Sequence, residues 1–514
     1  MKQADIKFKV ILGTIIFSCL FCAFVYWTLG HIDHLVYSLV FFLLSFILYI
    51  NVLRLFLLEA FCLDNTRTNE ILNYFLMYCL TAAAIFSPLA IQATYIYEVS
   101  FIRNLIIFFA TVLLAKYFFY MVLAPWQDIV HRFNHYKLFD GKKYEPFVSV
   151  MIPAWNEEVG ILSTIDSLLN SRYRNMEIIV INDGSSDNSD RIICDFIKKS
   201  RSSKSRDINI VYHYQDNAGK GSALNRAISL AKGEILVSID ADCVVDSGTI
   251  NAFVEEFKNP KVMGAVGNVK IANKDSMIGT VQYLEFLFSF YFKRAESLIG
   301  SIYIIGGAAG AFRREVFQKI GFYSTDNITE DIELTVRMQD AGMKIVYVPK
   351  AIVHTEGADD LPGLKNQRLR WKMGRFQTFF QHRHLFFSTK KNHNKYLSMI
   401  IMPLAVFSEF QLLFELPFVI FLYIFSLLNS DFTSFMSGVV IVGFMFVIQF
   451  MFYEKSARRW SFIALAPIGW MLFYIATYVE LTALLRSLRM LIFHKELDWQ
   501  RWKRKGITYQ KENN

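Results

Sequence analysis

Long apolar windows lie towards both ends of the chain and are missing from its middle. Each is about as long as a membrane-crossing helix, which needs roughly 20 apolar residues. Between about residues 137 and 397, hydrophobic and polar positions instead alternate as in a globular domain. The pattern predicts a globular domain between two blocks of transmembrane helices. The windows are residues 10–29, 35–53, 71–91, 105–124, 396–428, 435–452 and 463–485.

The first C-terminal window is too long for a single span. It contains Glu409, Glu415 and Pro417, and charged residues and proline are costly inside an apolar helix. We expect either a short interfacial helix followed by a span, or a broken hairpin.

In the middle of the chain, β-branched runs alternate with helical patterns. This order is typical of βαβ units and predicts a mostly parallel sheet. Ligands bind at the carboxyl ends of strands in such sheets, where Pro153, Asp183 and Asp240 all fall. The predicted strands are 148–152, 177–181, 208–212 and 234–239, and the predicted helices are 156–169, one ending near 200, and 220–231.

Composition and charge support a membrane protein with a cytoplasmic domain. The chain is 54% hydrophobic and 16% aromatic, and only 19% of its residues are charged. Its formal charge of +9 comes from basic residues that flank the predicted spans. By the positive-inside rule, these residues and the middle domain face the cytoplasm. An even number of C-terminal crossings then keeps the basic tail on the same side. The basic residues suit anionic lipid headgroups better than nucleic acid.

These observations predict five regions. They are an N-terminal transmembrane region of about four helices (1–136), a cytoplasmic α/β domain (137–372), an interfacial helix region (373–396), a C-terminal transmembrane region (397–487) and a basic cytoplasmic tail (488–514).

The Asp240-Ala-Asp242 sequence follows a predicted buried strand. Its two carboxylates suit Mg²⁺ or Mn²⁺, which prefer oxygen ligands and can share a diphosphate with the protein. Asp-x-Asp alone is common in exposed turns. Its place at a strand end, with Asp183 ending another strand, favours a metal and nucleotide site.

Two further segments carry candidate chemistry. Thr329-Glu330-Asp331 begins a helical pattern; a carboxylate there is commonly a helix cap, or else a general base, for which Asp331 is our candidate. The run Gly306-Gly-Ala-Ala-Gly310 is either a tight turn or a place where backbone approaches a sugar closely. Lys220 either contacts phosphate or is a solvated loop residue.

The segment Gln367-Arg-Leu-Arg-Trp371 lies on a helical pattern. Arg370 can bind a diphosphate through two hydrogen bonds, and Trp371 offers a flat face for a sugar ring. An Arg-Trp pair is otherwise an interfacial anchor. We expect this helix to lie along the membrane surface and its N-terminal part to close the active site.

Taken in order, these motifs resemble the family 2 membrane glycosyltransferases of the processive polysaccharide synthase type, which include cellulose, chitin and hyaluronan synthases. The likeness covers about residues 147–371. It is strongest to bacterial poly-β-1,6-N-acetylglucosamine synthases, through Gly310-Ala-Phe-Arg-Arg314, Ile328-Thr-Glu-Asp-Ile332 and Gln367-Arg-Leu-Arg-Trp371.

The resemblance implies a GT-A fold and an inverting transfer from a UDP-sugar to a glycan acceptor, with UDP-N-acetylglucosamine favoured. Asp331 would be the base, and Asp240 and Asp242 would bind the metal. The donor would be bound by Pro153, Asn156, Glu157, Asp183, Lys220 and Asp240. The acceptor end and pyrophosphate would be held by Gly307, Glu330, Gln367, Arg370 and Trp371.

The resemblance also implies a processive enzyme that exports its product across the bilayer, with small membrane or export subunits as further partners. One alternative is a transferase that adds a single sugar to a lipid-linked acceptor. A more remote alternative is a non-catalytic membrane sensor of nucleotide sugars, against which the retained Asp331 argues.

Overall fold

A computed structural model describes residues 144–202, 208–274, 276–429, 466–493 and 505–507, together with residues 120, 123–124 and 126–127. The four predicted N-terminal spans, apart from residues 120 and 123–124, lie outside the described residues. So do the predicted span 435–452 and most of the basic tail. The chain divides into two compact units, Met1–Leu138 with Phe414–Tyr474 and Phe139–Leu413 with Ile475–Asn514. The candidate site lies in the second unit.

Within the described residues, eight strands form one open sheet in the order β3-β2-β1-β4-β7-β6-β8-β5. The strands are β1 (Val148–Ala154), β2 (Met176–Asp183), β3 (Asn209–Gln215), β4 (Ile235–Ser238), β5 (Cys243–Val245), β6 (Val262–Ile271), β7 (Gly310–Arg313) and β8 (Lys344–Thr355).

The sheet is mixed, which corrects the expectation of a mostly parallel one. β1, β2, β3 and β4 pair in parallel, as their βαβ pattern predicts. β7 runs antiparallel to both of its neighbours, β4 and β6, and β5 runs antiparallel to β8. Helices also separate β5, β6, β7 and β8 along the chain, so the alternation of strands and helices does not reveal the direction of β5 and β7. Their direction is decided by long-range packing.

The sequences of β1 and β2 are continuous apolar runs because both strands are buried. Every residue of β2 is buried, and so is every residue of β1 except Pro153. Parallel strands covered by helices on both faces lose the polar alternation of half-exposed strands. Their apolar side chains form one core with the helices that cover the sheet.

Helices connect and cover the strands. They are α1 (Ile161–Leu169), α2 (Ser189–Ser202), α3 (Lys220–Leu230), α4 (Thr249–Phe257), α5 (Met277–Leu298), α6 (Arg314–Ile320), α7 (Glu330–Asp340), α8 (Leu361–Gln381), α9 (Met402–Asn429) and α10 (Ala466–Ile492). The first begins at Ile161 and not at the predicted Asn156, because Asn156 adopts a φ of 54°, a left-handed conformation that a right-handed helix excludes.

The predicted break in the first C-terminal window is wrong. A π-helical stretch, Leu397–Ile401, leads directly into α9, which continues to Asn429. Among the described residues, one helical segment, Leu397–Glu415, has the length and apolar composition needed to cross a membrane.

Candidate functional site

The polar residues predicted at strand ends do lie at one edge of the sheet. Asp183 is the last residue of β2, and Asp240 follows the end of β4. Pro153, in β1, pairs in register with Ile181 of β2, two residues before Asp183. The parallel register of β2, β1 and β4 therefore gathers these positions at their common carboxyl edge.

Lys220, the first residue of α3, links this edge to α7. Its Nζ atom is 2.6 Å from Oδ1 of Asp240 and 3.5 Å from Oε1 of Glu330. Burial alone would lower the pKa of Lys220, but the nearby carboxylates of Asp240, Glu330 and Asp331 raise it overall. The ammonium group is therefore charged, and it holds carboxylates from two separate elements together.

Asp331, the candidate base, lies beside Glu330 at the start of α7. Its Oδ2 atom accepts a hydrogen bond from the amide of Gly307 at 3.0 Å, and its Oδ1 atom accepts one from the amide of Ile332 at 2.9 Å. Burial raises the pKa of Glu330; Lys220 opposes the rise and Asp331 adds to it. The site thus concentrates negative charge around one lysine.

Gly307 is closely packed against the same cluster. It begins a 3₁₀ turn, Gly307–Ala309, that leads into β7. A Cβ atom at Gly307 would lie 2.5 Å from Nζ of Lys220 and 3.2 Å from Oδ1 of Asp240. The run therefore forms a turn that brings Gly307 against Lys220 and Asp240, and its close approach to a sugar stays a prediction.

Asp183 is buried and fixes the turn before α3. Its carboxylate accepts hydrogen bonds from the amides of Ala218 and Gly219, at 3.0 and 2.8 Å, and from the side chain of Gln215 at 2.7 Å. Because Gly219 directly precedes Lys220, these bonds set where α3 begins and where the Lys220 side chain starts.

Asn156 and Glu157 bind the loop that follows β2. The side-chain oxygen of Asn156 accepts hydrogen bonds from the amides of Ser186 and Asp187. The amide of Glu157 donates to Ser189 Oγ at 2.9 Å. These contacts join the loops after β1 and β2 into one polar rim beside Asp183.

Asp242 is more buried than Asp240 and lies against α1. Its residue exposure is 9%, whereas the Asp240 side chain is 31% exposed. A Cβ atom on Gly160 would lie 3.2 Å from the Asp242 α-carbon, so the loop before α1 packs closely on this turn. The two carboxylates therefore differ in access to solvent.

Gln367, Arg370 and Trp371 all lie on α8. Gln367 is buried, and Arg370 and Trp371 are partly exposed. The guanidinium of Arg368 lies over the indole of Trp371, 4.3 Å from the ring centroid, and Phe286 approaches the indole from α5 at 6.4 Å between centroids. Arg368 thus occupies one face of the predicted sugar platform.

α8 packs directly on the α7 end that carries Asp331. Asn327, just before α7, donates to Thr378 Oγ1 of α8 at 3.0 Å. A Cβ atom at Gly374 would lie only 2.2 Å from Thr329 Oγ1. The helix with the Gln-Arg-Leu-Arg-Trp segment is therefore held next to the candidate base.

A buried ionic network lies behind this segment, and no clear sequence pattern predicts it. Arg368 and Lys372 of α8 both bind Glu480 of α10, at 3.0 and 2.7 Å. Arg368 also binds Glu285 at 2.6 Å, and Lys372 binds Glu409 at 2.5 Å. Arg368 and Lys372 are four residues apart and therefore lie on the same face of α8. Their partners come from distant segments, which the spacing does not reveal.

A mixed, open α/β sheet with acidic residues at its carboxyl edge is the architecture of a nucleotide-sugar transferase of the GT-A type. Residues 146–374 match the family model described as "Glycosyltransferase like family 2". The chain belongs to glycosyltransferase family 2, and it is a glycosyltransferase.

Curated relatives support this assignment over most of the chain. A poly-beta-1,6-N-acetyl-D-glucosamine synthase of Staphylococcus epidermidis is 29% identical over 366 residues, which cover 69% of this chain and 84% of the relative. The synthase of a second strain of that species is 30% identical over 63% of this chain and 78% of its own length. A Staphylococcus aureus synthase is 33% identical over 48% of this chain and 57% of its own length.

Among solved structures, the chain is similar to the mannosyltransferase PcManGT from Pyrobaculum calidifontis. The TM-score is 0.46 at 17% identity, and the likeness covers 76% of this chain and 100% of the other.

Proposed function

We propose that this glycosyltransferase transfers N-acetylglucosamine from UDP-N-acetylglucosamine to the growing end of a polysaccharide. The observation that carries the proposal is the meeting of Lys220, Asp240, Glu330 and Asp331 at the carboxyl edge of the sheet. The curated relatives, all named as synthases of this polymer, support the choice of sugar.

Asp331 takes the proton from the acceptor hydroxyl. As the proton leaves, the acceptor oxygen forms a bond to the anomeric carbon of the sugar, and the bond from that carbon to UDP breaks on the opposite face. The configuration is therefore inverted, and UDP leaves with the bonding electrons. The amide of Gly307 fixes the Asp331 carboxylate by its 3.0 Å hydrogen bond, which reduces the cost of aligning the base.

The acidic site fits a divalent cation. Among the described residues, the ammonium group of Lys220 pairs with Asp240 and Glu330. The carboxylate of Asp331 is also nearby, so three carboxylates surround one positive charge. Asp240 and Asp242 supply oxygen ligands, which Mg²⁺ and Mn²⁺ prefer. When bound, such an ion neutralises charge on the diphosphate leaving group.

The donor is held by the polar rim at the ends of β1 and β2. Asp183 fixes the turn before Lys220, and Asn156 and Glu157 fix the loop after β2. With Pro153, these residues form the pocket that we assign to uridine. Lys220 then faces the diphosphate, for which a fixed ammonium group is a suitable partner.

The acceptor is held by α8. Arg370 and Gln367 face the pyrophosphate and acceptor end, and the sugar stacks on the Trp371 face opposite Arg368. Gly307 and Glu330 complete this side of the site. The packing of α8 on α7 supports the assignment, because Gly374, three residues after Trp371, lies against Thr329, two residues before Asp331.

We further propose that the enzyme is processive and works at the inner face of the membrane, with export coupled to synthesis. The apolar windows on both sides of the domain and the candidate span Leu397–Glu415 support a membrane site. The tail supports the topology, because the amides of Lys505 and Gly506 bind Glu356 of the catalytic domain. These contacts support a catalytic domain and a tail on the same side of the membrane, with an even number of membrane crossings between them.

A donor panel tests the proposal. Membranes that contain the wild-type chain receive labelled UDP-N-acetylglucosamine, UDP-glucose, UDP-galactose or UDP-glucuronate with Mg²⁺ or Mn²⁺, and the product is sized. Asp331→Asn should abolish incorporation and leave UDP binding intact, since the base acts on the acceptor. Asp195→Asn, an exposed carboxylate on α2, is the matched control.

High-mass product from UDP-N-acetylglucosamine alone, absent in Asp331→Asn and present in Asp195→Asn, is the expected result. High-mass product from another donor would overturn the choice of sugar. A single addition to a lipid-soluble acceptor would overturn processivity. Full turnover by Asp331→Asn would remove that residue from the role of base.

A further inference from the structure

A second cluster of ionisable groups lies at the opposite end of α7 from Asp331. It combines Asp340, the last residue of α7, with His382, His384 and His393 from the segment that follows α8. Nine residues separate Asp331 from Asp340, which along an α-helix is about 14 Å. The cluster is therefore distinct from the nucleotide site.

The potential ligand atoms of this cluster converge. One side-chain atom each from Asp340, His382 and His384 lie within 4.8 Å of one another. Oδ1 of Asp340 is 2.9 Å from Nε2 of His384 and 3.1 Å from Nε2 of His393. One oxygen of Asp340 thus contacts two imidazole nitrogens, and the imidazole of His382 lies close enough to share an ion with Asp340 and His384.

The histidines are also oriented by neighbouring groups. Nε2 of His382 is 3.3 Å from Oε1 of Glu333, a carboxylate that Arg337 binds from the same helix. Nδ1 of His393 is 2.7 Å from Ser388 Oγ. In metal sites, a histidine commonly uses one ring nitrogen for the ion and donates the other N–H to a carboxylate or a similar acceptor, which fixes the ring. His382, with the Glu333 carboxylate beside one ring nitrogen, fits this arrangement.

His382 supplies an independent sign of a missing ligand. The residue is only 7% exposed, and its Nδ1 atom is buried with no hydrogen-bond partner in the described part of the chain. A buried polar nitrogen without a partner is costly and uncommon. Because Glu333 contacts the other ring nitrogen, Nδ1 is the ring atom of His382 that still lacks a partner.

The cluster is open to solvent on one side. The His384 side chain is 45% exposed, so an ion can enter from solvent.

We propose that Asp340, His382 and His384 bind one divalent transition-metal ion of the Zn²⁺ type. Two imidazoles and one carboxylate, with a water molecule as the fourth ligand, are a donor set that suits tetrahedral Zn²⁺. Mg²⁺ and Mn²⁺ prefer sites richer in oxygen, such as Asp240 and Asp242. The two metal sites of the chain therefore differ in chemistry.

The ion acts as a clamp between two functional helices. Asp340 ends the helix that begins with Glu330 and Asp331, and His382 follows directly on the helix that carries Gln367, Arg370 and Trp371. Metal binding joins the far ends of α7 and α8, and it stabilises the packing that holds the candidate base beside the acceptor segment.

Zinc binding by the purified full-length chain tests this inference. The chain, with any histidine tag removed, is stripped with chelator and dialysed against Zn²⁺ in excess Mg²⁺, and zinc per chain is measured by mass spectrometry. Co²⁺ is substituted in parallel, because tetrahedral Co²⁺ absorbs strongly in the visible range. The variants are His384→Ala and Asp340→Asn. His354→Ala, a partly exposed histidine paired with Asp246, is the matched control.

We expect one Zn²⁺ per wild-type chain, a tetrahedral Co²⁺ spectrum, and an affinity lower by about tenfold or more in His384→Ala and Asp340→Asn but unchanged in His354→Ala. Zinc should raise the unfolding midpoint of the wild type and not of His384→Ala, whose midpoint without metal reports whether it folds. No bound zinc, or equal binding by His384→Ala, would overturn the proposal. Neither readout depends on glycosyl transfer.

Discussion

At the scale of single residues, two adjacent glycines occupy very different surroundings. A Cβ atom on Gly306 would meet nothing within 4 Å, whereas one on Gly307 would lie 2.5 Å from Nζ of Lys220. The Lys220 side chain is flexible and can move aside, but it would then leave its 2.6 Å contact with Asp240. Gly307 is thus required by the arrangement of the site and not by the fold.

Gly307→Ala should lower the rate of glycosyl transfer by about tenfold or more, because a displacement of about 1 Å in a catalytic group has effects of this size. Its stability should change by less than about 1 kcal/mol, since Lys220 can yield. Rates with the preferred donor and unfolding midpoints would be measured for both glycine variants. Gly306→Ala should match the wild type, and equal rates for both variants would contradict this account of Gly307.

Residue types in the site were predictable, but their partners were not. Asp183, Asp240 and Asp331 were recognisable because strand ends and a helix start concentrate functional groups. That Asp183 binds the turn before Lys220, or that Lys220 joins Asp240 to Glu330, depends on residues far apart in the chain. No local pattern reports such contacts.

At the scale of elements, the packing of α7 against α8 depends on one small residue. A Cβ atom at Gly374 would approach three side-chain atoms of Thr329, at 2.2, 2.5 and 2.7 Å. Thr329 is short and β-branched, so it has little freedom to move away. The two helices can meet this closely only because position 374 lacks a side chain.

Gly374→Ala should therefore destabilise the protein by about 1–3 kcal/mol, the usual cost of overpacking. Thermal unfolding of the purified chain would measure the loss. Combining the change with Thr329→Ala should recover part of it, because two of the three clashing atoms are removed. Gly248→Ala, where an added Cβ meets nothing within 4 Å, is the control. A drop of the same size in Gly248→Ala would argue against a specific clash.

The ionic network behind α8 joins this helix to α5, α9 and α10. The side chains of Arg368 and Lys372 are 4% and 3% exposed, and Glu480 binds both. Buried charges are tolerated when they are paired and become costly when a partner is removed. The network thus fixes α8 from behind while its other residues face the site.

Glu480→Ala should lower the stability of the chain by about 3–5 kcal/mol, because it leaves two buried cations with fewer partners. The unfolding midpoint in detergent would show the effect. Glu315→Ala removes an exposed partner of Lys319 and should leave the midpoint unchanged, as surface pairs contribute little. Similar midpoints for the two variants would show that the network adds no stability.

At the scale of the whole molecule, the end of the chain returns to the catalytic domain. The amides of Lys505 and Gly506 donate to the buried carboxylate of Glu356, at 2.7 and 3.0 Å. A Cβ atom at Gly506 would lie 2.6 Å from Val159, the residue before Gly160, which packs on Asp242. The tail therefore lies close to the acidic turn of the site.

Glu356→Ala should release this part of the tail. We expect amide hydrogen exchange at Lys505 and Gly506 to become about tenfold faster or more, because both amides lose their acceptor. Asp359→Ala is the matched control: it removes the ion pair with the Lys505 side chain and keeps both amide bonds. Unchanged exchange in Glu356→Ala would show that these bonds do not hold the tail.

Local sequence patterns were enough to predict the class of the domain and the identity of its chemical groups. Alternating strands and helices predicted the parallel half of the sheet, because apolar periodicity follows directly from local geometry and burial. Ordered motifs predicted a family 2 glycosyltransferase, because residue types and spacing are local properties of the chain.

How those groups meet depends on the folded chain as a whole. Folding sets the antiparallel directions of β5 and β7 relative to their neighbours. It also sets the Lys220 link between Asp240 and Glu330 and the convergence of Asp340 with His382 and His384. Each depends on contacts between segments far apart in sequence. Such contacts are selected by the packing of the whole core, and no single segment encodes them.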